Sequence, residues 1–311
     1  MRFSPLLLLA SAMLPALSHS AVTFQFSYDG DGGNLWSNDA KNALNVAANN
    51  MAGYFSAYTT TIDIQVSGSN ANNQTLASAG SNYASASNGF GNLGVVGTKI
   101  LTNGSSDLNS SAFDGTVDAN FFHAWSFNDT VSNSQYDFVS TMMHEIGHAL
   151  GFLSGLDSTG ASFLGANAYT PFDQFLVNGT GTTMVTGSLT TSPSWAAASV
   201  GGTGNGNGLY FNGTNALAAN GGNAVPIYSP TTWSQGSSGS HLDDDFFTGG
   251  NAKLMNSASP TGFGIRTLSD IEISIFKDLG YTQITAVPEP TRGVLFLFAV
   301  SCLVMRRRRT V

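Results

Sequence analysis

His144-Glu145-Ile146-Gly147-His148 is the segment whose residue types and spacing can do chemistry. On a helix, histidines four positions apart lie one turn above each other on the same face, so both imidazoles can reach one ion. Glu145 sits one position round from His144, beside the ion's open coordination site. Zinc held by imidazoles lowers the pKa of a bound water towards about 7. A carboxylate alongside can take that proton and later hand it to a leaving amine. The pattern predicts metal-assisted hydrolysis with Glu145 as base. With five His and three Glu in 311 residues, roughly one chain in a thousand would contain His-Glu-x-x-His by chance.

A third protein ligand is needed, and few residues can supply it. The contiguous pattern His-Glu-x-x-His-x-x-Gly-x-x-His fits through Gly151 and then fails, because Ser154 holds its last position. No Glu occurs between 146 and 271, and Glu272 reads as a helix cap. Asp157 and His241 remain, together with His123, which would have to precede the motif helix and reads as a core histidine between Phe122 and Trp125.

The surroundings of His241 favour it. Ser238-Gly239-Ser240-His241-Leu242 leads to Lys253-Leu254-Met255-Asn256 and then to Phe276-Lys277-Asp278-Leu279-Gly280-Tyr281. This ensemble resembles the leishmanolysin branch of the metzincin zinc proteases. In that branch the third histidine is displaced far from the motif helix, a Leu-Met turn passes beneath the zinc, and a helix ending in Asp-Leu-Gly-aromatic follows. The resemblance implies His144, His148 and His241 as zinc ligands, Glu145 as base and Met255 as the Met-turn residue, with Gly151 turning the chain after the motif helix. It covers about 136–157 and 236–282. The cysteine framework of the parasite proteins is missing, so the kinship is to the active-site core.

The elements that must position these residues are partly readable. Val22 to Tyr28 alternates as a half-buried strand. Asn38 to Tyr54 repeats Ala40, Ala43, Leu44, Ala47, Met51 and Tyr54 at helical spacing, with Ser37 or Asn38 as cap. Thr60 to Val66 reads as a second strand, 67–92 as a long surface loop, and Val95 to Leu101 as a further strand. A helix is predicted over Tyr136 to Phe152. The Gly/Thr/Asn-rich stretch 154–240 reads as irregular, with strand-like pieces at Gly208 to Asn212 and Val225 to Tyr228. Ser269-Asp270-Ile271-Glu272 has capping-box spacing and opens a last helix that stops at Gly280. The expectation is one α+β catalytic domain over 21–285. The resemblance adds a twisted sheet with the active-site helix, above an irregular lower half that closes with a C-terminal helix.

Composition narrows the function. Charged residues make up only 10% of the chain. Between Ala21 and Thr285, 5 basic residues face 18 acidic ones, a net −13, which argues against gripping a phosphate backbone and so against nucleic acid as partner. The single cysteine, Cys302, lies near the C-terminus, so residues 21–285 can form no disulfide and offer no thiolate. Asp29-Gly30-Asp31-Gly32-Gly33 hints at a calcium loop without the glutamate at its twelfth position, and Asp243-Asp244-Asp245 reads as solvated, as outer support for His241 or as a second calcium possibility.

Both ends carry export features. Residues 1–20 read as a signal peptide: Arg2, an apolar run from Leu6 to about Leu17, then Ser18-His19-Ser20. Residues 286–311 contain Val287-Pro288-Glu289-Pro290, the apolar stretch Gly293 to Met305 and Arg306 to Arg309. This order resembles the PEP-CTERM sorting tail of Gram-negative bacteria. The resemblance implies transient inner-membrane anchoring, processing by an exosortase-type enzyme and an extracellular or cell-surface destination. The function expected from all of this is an exported zinc endopeptidase acting on polypeptides. The alternative is a non-catalytic matrix or surface protein with a structural zinc.

Overall fold

The computed structural model describes residues 21–28, 30–110, 112–202 and 207–287. Residues 1–20, expected as a leader, and the part of the expected sorting tail from Pro288 onward lie outside the described residues, as does Asp29 of the glycine-rich loop. Among the described residues no helix is long and apolar enough to cross a membrane.

The fold is α+β. Strand β1 (Val22–Tyr28) leads through one helical turn, α1 (Gly30–Gly33), to helix α2 (Asn38–Tyr54) and strand β2 (Thr60–Ser69). Ser37 caps α2 by accepting the Ala40 N–H. The face that the periodicity marked, Ala40, Ala43, Leu44, Ala47, Met51 and Tyr54, is buried. In β2, Ile62, Ile64 and Val66 point into the core. Strand β3 (Ala77–Ser81), helix α3 (Gly94–Leu101) and strand β4 (Gly115–Asn120) complete a sheet in the order β1-β2-β4-β3. The first three strands in that order run parallel; β3 is an antiparallel end strand. Two-residue strands β5 (Trp125–Ser126) and β6 (Tyr136–Asp137) pair just before helix α4 (Phe138–Ala149). Helix α4 packs between α2 and β3.

Three expectations are corrected here. The stretch 67–92 is not all loop: it holds the end of β2 and the whole of β3. Ala-Ser-Ala-Gly-Ser has no apolar alternation to announce a strand, and β3 exists because its backbone pairs with β4. Val95 to Leu101 is a helix, not a strand. A short apolar run does not distinguish the two by period, and tertiary contacts decide it: Val95, Val96 and Ile100 are buried, and Lys99 sits among the carboxylates of Asp63, Asp107 and Asp114. The helix over Tyr136 to Phe152 is shorter at both ends, because Asp137 caps it and Gly151 turns the chain at φ 102°.

Beyond α4 the chain is held by short pieces: β7 (Leu176–Asn178), β8 (Leu209–Phe211) and β9 (Val225–Ile227) form one small antiparallel sheet, alongside helical turns α5 (Trp195–Ala198) and α6 (Thr214–Ala219). One five-residue turn recurs at Asp157–Ala161, Asn178–Thr182 and Thr186–Thr190. In each, the first N–H reaches the fifth carbonyl at 2.8–2.9 Å, and the fourth residue (Gly160, Gly181 or Leu189) takes positive φ. Helix α7 (Asp270–Asp278) opens with the predicted capping box between Ser269 and Glu272 and ends before Gly280, at φ 112°.

Candidate metal centre

Helix α4 is clamped at both ends before any ligand is considered. At its start, Asp137 accepts the Ser140 N–H and pairs with Arg266, whose Nε lies 2.9 Å from Oδ2. Phe138 fixes the same end inside a cage of Trp36, Phe121, Trp125 and Phe127. At the other end the Tyr281 hydroxyl donates to the Leu150 carbonyl at 2.7 Å. The aromatic residue of the Asp-Leu-Gly-Tyr ending thus holds the last turn of the motif helix.

The rings of His144, His148 and His241 converge. Their Nε2 atoms lie 3.0–3.1 Å from one another. Each Nδ1 faces a backbone carbonyl: Leu254 for His144 at 2.7 Å, Phe152 for His148 at 2.7 Å and Ser237 for His241 at 2.8 Å. A carbonyl only accepts, so every Nδ1 must carry the proton and every Nε2 presents a lone pair. Three lone pairs turned on one point repel each other unless a cation lies between them. Tetrahedral zinc at the usual Zn–N length would set such nitrogens about 3.3 Å apart, close to the spacing observed. All three rings are buried. Burial holds the imidazoles neutral, His241 pushed down to about 3 and His148 well below its usual value, where the neighbouring histidines add to the effect. These residues therefore fit a divalent metal ion. Among the described residues, this is the one group of three His, Cys, Asp or Glu side chains whose ligand atoms gather so closely.

Glu145 projects from the same turn and meets the sheet. Its carboxyl accepts a hydrogen bond from the Ala79 N–H of β3, and burial pushes it up to about 8. A cation at the histidines acts in the opposite direction and favours the carboxylate. Met255 is fully buried beneath the helix. A Cβ at Gly147 would stand 2.7 Å from the Met255 sulfur, which explains why the motif has glycine there. The peptide linking Leu254 to Met255 is held from two sides: its carbonyl accepts from His144, and its N–H donates to Glu272 at 2.7 Å. Glu272 is thus a helix cap, as expected, and also the anchor of the turn under the histidines. Its capping role was legible in the sequence, whereas its reach across to Met255 was not.

Other candidates fall elsewhere. Asp157 is exposed and its carboxylate accepts the Thr159 and Ala161 N–H groups of its own turn. His123 is only half-buried, with Nε2 against the Thr75 carbonyl, so it is neither a core histidine nor part of the cluster. Asp243 caps the N–H groups of Asp245 and Phe246, and Asp244 accepts from Ser257. In the glycine loop, a Cβ at Gly32 or Gly33 would come within 3 Å of backbone at Gly68 or Tyr28, so close packing explains those glycines without calcium.

A cavity of about 330 Å³ lies near the start of α4, and neither the three histidines nor Glu145 lines it. Ser140 and Thr141 line one wall, Leu254 and Asn256 another, and Pro260 and Phe263 a third. Thr141 stands one turn before His144 on the same helix face. Sequence reasoning missed this cavity, because its walls come from two stretches far apart in the chain, 137–141 and 244–265. The chain matches no protein-family model and none of the curated proteins compared with it.

Proposed function

We propose that the protein is an exported zinc-dependent endopeptidase. The observation that carries this reading is the convergence of three buried, lone-pair-bearing Nε2 atoms with Glu145 on the same helical turn. His144, His148 and His241 would hold the ion, and the three carbonyls at their Nδ1 atoms keep each ring in the binding tautomer. When bound, zinc supplies Lewis acidity towards a peptide carbonyl and towards water.

Glu145 accepts a proton from the attacking water at its carboxylate and returns it to the leaving amine. The Ala79 N–H orients that carboxylate. Strand β3 ends the sheet beside Glu145, so an extended polypeptide pairing along it would lay its backbone across the histidines. Residues 1–20 and 286–311 are proposed as signal peptide and PEP-CTERM-type tail, with an exosortase-type enzyme as processing partner at the inner membrane.

Casein or gelatin cleavage by the purified protein, with and without chelator, tests this reading. Glu145→Ala is expected to lose at least 10²-fold in rate while still binding one zinc. Undiminished cleavage by that variant would defeat the mechanism. Stoichiometric zinc with no bond cut by the unaltered protein would favour the surface-protein alternative.

A further inference from the structure

The third histidine comes from an irregular stretch, so something must fix its distance from the helix. Ser154 occupies the place where a contiguous motif would put the third ligand. Here it offers its backbone instead: the Ser154 N–H donates to Ser240 Oγ at 3.1 Å, and Ser240 is the neighbour of His241. That bond ties the loop bearing His241 directly to the segment that leaves α4.

Ser154 is itself pinned. Its hydroxyl donates to Asp173 Oδ1 at 2.6 Å. Asp173 is fully buried, in a 3-10 turn over Phe172–Phe175, and also accepts from the Gly155 N–H, the Thr170 N–H and the Thr170 hydroxyl. One carboxylate with four donors holds both flanks of the loop, which leaves Ser154 little freedom. Ser154, Ser240 and His241 are all buried, so water cannot substitute for a lost partner at low cost.

We propose that Ser240 and Asp173, the latter acting through Ser154, are positioning residues that dock the His241 loop onto the end of α4 and so set the third metal ligand. The proposal rests on the metal-site reading above. Its physical basis is preorganisation: an ion that must first order a loop binds more weakly by the cost of ordering it.

The test is competition titration of the full chain with zinc, together with thermal unfolding of the metal-free protein. Ser240→Ala is expected to weaken zinc about 10-fold, the range found for partners that orient metal ligands. Ser240→Thr, which keeps the hydroxyl, should restore most of the affinity. Ser238→Ala removes a buried hydroxyl two residues away that accepts from the Ser234 N–H, and is expected to leave zinc affinity unchanged. Asp173→Asn should weaken zinc at least as much as Ser240→Ala; if that variant does not fold, Ser240→Ala decides. The cobalt-substituted Ser240→Ala protein should show a weakened visible spectrum as one nitrogen ligand loosens. Wild-type zinc affinity in Ser240→Ala, with only its melting temperature lowered, would reduce the network to ordinary packing and overturn the proposal. Failure of the unaltered protein to bind zinc would instead remove the metal-site reading itself, and the proposal with it.

Discussion

The molecule joins two regions built on different physics. From Val22 to Leu150 it is sheet and helix, and its stability comes from apolar faces at regular spacing: Leu44, Met51, Ile62 and Val66 are fully or almost fully buried. From Ser154 to about Asn256 regular structure is sparse; side chains such as Phe172, Trp195, Phe211 and Phe247 still join the core, but buried polar groups are also needed to satisfy the loop backbone. Buried Asp173 serves four donors, and half-buried Asp278, reaching over from α7, caps α6 at Asn215 and Ala216. The histidine cluster lies at the seam. The first region gives two histidines on one rigid helix; the second gives a histidine whose placement depends on hydrogen bonds. A regular scaffold can thus receive a ligand from an irregular one, provided the irregular part has enough satisfied polar contacts to hold a single conformation.

The contrast can be broken by measurement. Leu44→Ala, in the buried face of α2, is expected to cost about 2–5 kcal/mol in urea unfolding. A loss below about 1 kcal/mol would mean the upper region does not rest on apolar packing as argued.

Asp173 sharpens the other side. Burial raises its carboxyl from 3.8 to about 6 despite its donors. A raised folded-state pKa means that the folded protein binds this proton more tightly than the unfolded chain. The resulting stabilisation is full below about pH 4 and lost as pH rises through about 6, a fall of about 3 kcal/mol at most. Urea midpoints of the metal-free protein between pH 4 and 7 should show this component, and Asp173→Asn should lack it. Identical pH profiles for the two proteins would refute the assignment.

The smallest effect concerns the recurring turn. Gly181 has φ 80° with open space around its Cα, so Gly181→Ala should cost about 1 kcal/mol from backbone strain alone. An unchanged melting temperature would show that this turn tolerates a side chain in the left-handed region.

The sequence by itself determined whatever is local or periodic. The face of α2, the inward residues of β2, the Ser269 cap and the pairing of His144 with His148 all follow from spacings of two, three or four along one element. It also pointed to a turn at Gly151, where the structure has φ 102°. Only the tertiary structure decided what joins distant segments: the arrival of the His241 ring at the helix pair, the use of Ala79 to hold Glu145, the second task of Glu272 under Met255 and the Asp173–Ser154–Ser240 chain. It also made Val95 to Leu101 a helix and Ala77 to Ser81 a strand. The reason is physical: a period reports which face of one element is buried, whereas small polar residues such as Ser, Gly and Ala leave no such record. Their roles depend on which backbone groups the completed fold leaves to be satisfied.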